Sequence, residues 1–356
     1  MASRPEPNPV VYCVGRRRHL PHEPDQWDVQ SERSLSASTS GPVCRDATMS
    51  RSRARLFARQ LAREEAPSAF LPTVPPFSED TLWRGLTRNG EMRLLVARAT
   101  RSLRDGVAVL GAGPEGAGLL GELTVGGLLV RSVLDPQAQV QLTIRNPGAA
   151  GRLYLDIWGG GEGYRATLEN PDATGRPDLP LFAGGEFDLM RSRASGTPHR
   201  SVRLLSGESL PEAYMAHLLE SDQIRAVLRL DVRVGDDGLT HACGFLVQVT
   251  PEGGREDVER LLANLEALPR LGDVMGEEDP DGRAFADRLF DGYRWDQSAR
   301  EEVSFTCRCS RERLVAILRS LPSQEREEIA EEGVPVETTC EFCRARYEIA
   351  PAELEN

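Results

Sequence analysis

Four cysteines near the C-terminus constrain this chain more than any other feature: Cys307-Arg308-Cys309, about thirty residues of helical character, then Cys340-Glu341-Phe342-Cys343. Two close cysteine pairs at this separation are the signature of one tetrahedral zinc site, and closed four-ligand sites are structural. A zinc ligand must be a thiolate, and the thiolate is also the form that peroxides attack, giving sulfenic acid and then, with a neighbouring thiol, a disulfide. Both pairs are close enough to chelate one ion and close enough to form a small-ring disulfide if the backbone yields. Oxidation would therefore remove the ligands. A segment of about fifty residues rarely supplies more than ~3–5 kcal/mol from its own core, whereas a structural zinc contributes ~10–16 kcal/mol. Loss of the metal should unfold the module, which leaves two readings: a permanent staple or a redox switch.

Phe305-Thr306-Cys307-Arg308-Cys309-Ser310-Arg311-Glu312-Arg313, followed by Cys340, Cys343 and Tyr347, resembles the C-terminal zinc module of the 33-kilodalton heat-shock protein family, the redox-regulated bacterial chaperones. Upstream, Ser221-Asp222-Gln223 resembles the family's Ser-Glu-Gln, and Ala242-Cys243-Gly244 with the apolar run to Gln248 resembles its Ala-Gly-Gly segment; the likeness spans about Glu79 to Asn356. Two departures stand out. Arg145-Asn146-Pro147-Gly148 replaces the family's Gly-Asp-Gly-Pro, and Arg344 stands where a glycine commonly follows the second pair. The resemblance implies a reduced, inactive form holding one Zn2+ on Cys307, Cys309, Cys340 and Cys343. Under peroxide or hypochlorous stress it implies Cys307–Cys309 and Cys340–Cys343 disulfides, zinc release, and ATP-independent binding of unfolding client proteins by an oxidised homodimer. It implies no catalytic residue.

The fold class expected is α+β: an N-terminal mixed sheet and helix core, a helical linker and a small C-terminal four-cysteine zinc domain. The boundaries expected are a disordered extension over 1–76, a core over 77–253, an acidic linker over 254–303 and the zinc-binding switch over 304–356. Net charge is −12, which argues against a chain built to hold nucleic acid. The charge is uneven: the linker carries 7 Arg and 14 acids, the zinc module 7 Arg and 11 acids. The linker's charge density predicts marginal stability, so that it packs only while its neighbours hold it. No apolar run approaches the ~18–20 residues of a membrane span. The first thirty residues lack a secretory core, and seven cysteines do not read as a secreted disulfide framework. The cytoplasm is the expected location.

Within the extension, Cys13 and Cys44 read as bystanders, residues 51–65 as a possible short helix and Met49 as an alternative start. The main rival to the chaperone reading is Val107-Ala108-Val109-Leu110 followed by Gly111, Gly113 and Gly116, a Gly-x-Gly-x-x-Gly pattern with Asp135 downstream. In a dinucleotide-binding enzyme the glycines would admit pyrophosphate and Asp135 a ribose. The alternative is a loop before a core helix over 117–134. A third reading is a non-switching zinc adaptor. Period-two alternation over Gln139–Ile144, Arg152–Trp158 and Tyr164–Leu168 predicts an antiparallel meander. Strands are also expected at 186–190, 202–205, 226–232 and 243–249. Ser209 and Glu212 form a capping box opening a helix with Tyr214, Leu218 and Leu219 on its buried side. His217 on that helix reads as a satisfied or surface side chain and Cys243 as a small core residue. Residues 256–268 repeat apolar side chains at helical spacing, and a second short helix is expected around Phe285–Tyr293. In the zinc module, Ser310 caps a helix burying Leu314, Ile317 and Leu318, and a second helix runs from Pro322 to Gly333.

Overall fold

The computed structural model describes residues 80–145, 150–161, 163–172, 184–193, 195–236, 238–269, 271, 279 and 282–354. The expectations for residues 1–76 and for the turn at 146–148 lie outside them.

Alternating apolar residues build two antiparallel sheets. In chain order the elements of the core are β1 (Thr81–Thr87), β2 (Met92–Arg98), α1 (Thr100–Leu110), α2 (Pro114–Leu134), β3 (Gln139–Arg145), β4 (Leu153–Ile157), β5 (Tyr164–Leu168), β6 (Glu186–Ser192), β7 (His199–Leu204), α3 (Leu210–Asp222), β8 (Ala226–Gly235) and β9 (Gly238–Val249). The second sheet runs β5-β4-β3-β6-β7. Its inward row of Val140, Leu142, Ile144, Leu153, Leu155 and Phe187 is buried, as the alternation requires. Helix α2 packs against both sheets. By length and hydropathy α2 could cross a bilayer, contrary to the expectation that no segment approaches this, but 89% of that window is buried; protein surrounds it, not lipid.

The linker contributes three elements, α4 (Arg255–Ala267), α5 (Arg283–Leu289) and β10 (Trp295–Glu302). The helices cover the outer face of the first sheet: Leu261, Leu265, Phe285, Leu289 and Phe290 form one buried cluster with Trp83, Met92, Leu94, Val96, Phe245 and Val247. Strand β10 was not anticipated. It pairs antiparallel with β1 from Thr81–Glu302 to Thr87–Trp295, completing the order β10-β1-β2-β9-β8. As a mostly exposed edge strand it carries no apolar alternation to read.

The C-terminal module consists of α6 (Arg311–Arg319), α7 (Ser323–Glu332), β11 (Val336–Thr339) and β12 (Arg346–Ile349), around a small core of Val315, Ile349 and Leu354 with Leu314, Leu318 and Ile329 against it. Two side chains expected inside are outside: Leu219 is 43% and Ile317 56% exposed. Each lies at the margin of its helix's apolar stripe, where spacing does not fix the facing.

The dinucleotide reading fails on geometry. Val107–Leu110 is the last turn of α1, not a strand. Gly111 caps that helix in the left-handed region (φ +66), which suits glycine. The Gly113 N–H donates to the Pro171 carbonyl at 3.0 Å, and a Cβ on Gly116 would lie 2.6 Å from that same oxygen. The chain's own loop sits where a pyrophosphate would, and Asp135 is engaged by Arg193.

Candidate metal centre

Cys307 and Cys309 lie on the segment between β10 and α6. Core contacts place its start: Tyr164 N donates to Ser304 O at 3.0 Å and Thr306 N to Tyr164 O at 2.7 Å. Ser310 ends it, accepting the Arg313 N–H at 3.3 Å as the cap of α6. Cys340 and Cys343 occupy the turn between β11 and β12, closed by Arg344 N to Cys340 O and Cys340 N to Ala345 O, both 2.9 Å. Arg344 itself is left-handed, with φ +56, so the position where a glycine is common in the resembled family does have glycine-favouring geometry.

These two loops bring the four sulfurs within 4.8 Å of one another. Cys307 and Cys340 are 3.7 Å apart and Cys309 and Cys343 3.3 Å. Four sulfurs at about 2.3 Å from a tetrahedral ion stand roughly 3.8 Å apart, so the donor set fits such an ion. It is the only cluster of this kind among the described residues. Burial alone would push the Cys309 thiol up, but hydrogen bonds from the Tyr347 hydroxyl, at 3.1 Å, and from the neighbouring thiols hold it down to about 7. Burial, followed by the neighbouring sulfurs, pushes Cys343 up to about 12, and burial raises Cys307. Tyr347 is raised to about 12, chiefly by its bond to Cys309. A bound cation is what would stabilise four thiolates here.

The spacer residues of both motifs grip the core, which the sequence reading missed. Phe342 packs edge-on to Tyr154 (centroids 5.5 Å) and lies under the Arg165 guanidinium at 4.1 Å. Arg308 sits over the Trp158 ring at 4.3 Å, and Thr167 Oγ1 donates to the Glu341 carbonyl at 3.1 Å. The available signal was a lone aromatic at the tip of a metal knuckle, with no local apolar partner.

The remaining candidates are structural. Cys243 is fully buried with Sγ 2.9 Å from His241 Nε2. His217 is buried, its Nδ1 3.1 Å from Ser201 Oγ, and burial pulls it down to about 4.

The Hsp33 protein family model matches residues 80–350. The 33 kDa chaperonin of Geobacter sulfurreducens is 28% identical over 284 residues, 78% of this chain and 94% of that protein. The 33 kDa chaperonin of Streptococcus pneumoniae strain JJA is 32% identical over 172 residues, 48% of this chain and 59% of its own length; the match spans less than two thirds of that relative. The crystal structure of a 33 kDa chaperonin from Thermotoga maritima superposes with a TM-score of 0.67 at 24% identity, covering 78% of this chain and 97% of that one, a likeness of fold. A thiol tetrad on a small module, set beside an α+β core and matched by the family over residues 80–350, places this chain in the Hsp33 family.

Proposed function

We propose that the chain is a redox-regulated holding chaperone that works without ATP and carries one Zn2+ on Cys307, Cys309, Cys340 and Cys343 when reduced. The observation that carries this reading is that each sulfur of the tetrad has a second cysteine within its own motif. Peroxide converts one thiol to a sulfenic acid, releasing water. The neighbouring thiol then displaces a second water to form the disulfide, so each pair gives up two electrons and two protons. Cys307–Cys309 and Cys340–Cys343 are the pairings proposed. Once disulfide-bonded, the sulfurs no longer bind zinc, and a core centred on Val315, Ile349 and Leu354 is too small to hold the module folded.

The domain plan supports the consequence. We assign 77–253 to the core, 254–303 to the linker and 304–356 to the switch. The linker buries apolar surface against Met92, Leu94, Val96 and Phe245 while carrying 21 charged residues in 50. When the switch unfolds, the linker loses its C-terminal anchor and detaches, and the sheet face it covers becomes available to unfolding clients. The oxidised form acts as a homodimer in the cytoplasm, with neither nucleic acid nor membrane as partner. The test adds hydrogen peroxide to the zinc-loaded chain and follows metal release, disulfide mapping and suppression of client aggregation together. Zinc release without suppression would refute the chaperone reading, and zinc retained through oxidation would make the centre a permanent staple.

A further inference from the structure

Besides its backbone pairing with β1, strand β10 is clasped to the core by one carboxylate. Glu301 bridges two arginines: Oε1 takes Arg84 Nη2, and Oε2 takes Arg131 Nη2 at 2.5 Å. The Arg131 side chain is 2% exposed. Burial, and next Arg84, lowers its pKa to about 10. Each arginine is anchored from behind, Arg84 Nε on Ser132 Oγ at 2.7 Å and Arg131 Nη1 on the Pro136 carbonyl. Arg131 Nε is buried and donates to nothing among the described residues. Beside the clasp is a small cavity lined by Leu128, Ile157, Trp158 and Tyr164. At the other end of β10, Trp295 stacks on Trp83 with centroids 5.7 Å apart and packs over Gly85, where a Cβ would lie 3.0 Å from its ring.

We infer that the edge of β1 is a binding site for an extended polypeptide segment bearing a carboxylate, and that β10, through Glu301, is its resident occupant. The inference rests on the linker leaving the core as proposed above. Departure of β10 removes the carboxylate that bonds both arginines, leaving Asp135 as a charge near Arg131. Two adjacent, pre-positioned guanidinium groups then face each other, one of them buried, an arrangement that favours an incoming anion. The same departure leaves β1 as an unpaired edge, whose N–H and C=O groups pair with any extended chain. The ligand class follows from the occupant: a strand with an aromatic residue at one end, for the Trp83 shelf, and Asp or Glu six positions on.

The probe is a labelled synthetic peptide of the sequence from Trp295 to Glu302, titrated by fluorescence anisotropy into the full-length protein. The oxidised chain should bind it at least about tenfold tighter than the zinc-bound chain does. A peptide with glutamine at the position of Glu301, and an Arg84→Ala protein, should each weaken binding at least about tenfold, as expected for loss of a charge-assisted bond. A second arm needs no oxidation. Glu301→Gln in the full-length, zinc-bound chain weakens the resident occupant, so the unsubstituted peptide should bind that chain at least about tenfold tighter than it binds the parent chain. An oxidised chain that suppresses client aggregation yet binds the glutamate and glutamine peptides equally would overturn the clasp and leave the chaperone reading standing. A chain that keeps its zinc under peroxide would defeat the chaperone reading instead, and the Glu301→Gln arm then decides the clasp: equal binding to both chains overturns it.

Discussion

Replacing Phe342 with alanine should loosen the metal centre without touching a ligand. Phe342 lies between Cys340 and Cys343 and, among the described residues, packs against two core groups: Tyr154 edge-on at 5.5 Å and Arg165 at 4.1 Å. An aromatic pair of this geometry contributes ~0.5–1.5 kcal/mol beyond its buried area, and a guanidinium over a half-exposed ring ~0.5–1 kcal/mol. The sum, about 1–2.5 kcal/mol, is available only while the knuckle is folded around its metal. By linkage it adds to metal retention. Zinc release to a colorimetric chelator, measured on the full-length protein at fixed chelator concentration, should therefore shift by roughly five- to seventyfold in apparent affinity. Arg165→Ala, distant in sequence and not a ligand, should produce part of the same shift, and the double variant should show less than the sum of the two. A Phe342→Ala protein that holds zinc within about twofold of the parent would refute the idea that the core stabilises the knuckle.

Three further outcomes follow from single positions. Arg344→Gly removes a left-handed side chain (φ +56) worth ~1–2 kcal/mol of strain, against ~0.5–1 kcal/mol of added backbone entropy. The net is about 0–1.5 kcal/mol, so chelator competition should show zinc held up to about tenfold tighter; weaker binding would contradict the geometry. His217 is pulled down to about 4 from an ordinary value near 6.5, so between those values the unfolded chain takes up a proton that the folded chain refuses. Stability is therefore lost as pH falls through that window, by about 3 kcal/mol in all. Denaturant midpoints of His217→Gln against pH should lack this component, and parallel curves for the two proteins would count against it. Gly116→Ala drives a Cβ to 2.6 Å from the Pro171 carbonyl and should lower stability by ~1–3 kcal/mol in thermal unfolding. NADH fluorescence should report no binding to either protein, and binding by the parent would revive the dinucleotide site.

How far the sequence could be read depended on whether a residue's partner lies nearby in the chain. The thiol tetrad was legible because chelation fixes short spacings, and both pairs indeed converge. The strands from Val140 to Leu168 were legible because one face is buried along its whole length. The capping box was legible because Ser209 and Glu212 satisfy each other, Glu212 accepting the Ser209 N–H at 2.7 Å. By contrast, nothing local marks Trp295–Glu302 as a strand. Its order comes from β1, more than two hundred residues earlier in the register, and from Arg84 and Arg131 on Glu301. Arg308 and Phe342 show the same limit inside the motif that reads best. The cysteines around them bring four sulfurs together, as any small thiolate module could. Where that module sits against the core is set by Trp158, Tyr154 and Arg165. The cysteine spacing thus encodes the thiol tetrad, while the spacer side chains connect it to the core. A variant series confined to the cysteines would test only the first; substitutions at Arg308 and Phe342 are the ones that separate losing the metal from losing the dock.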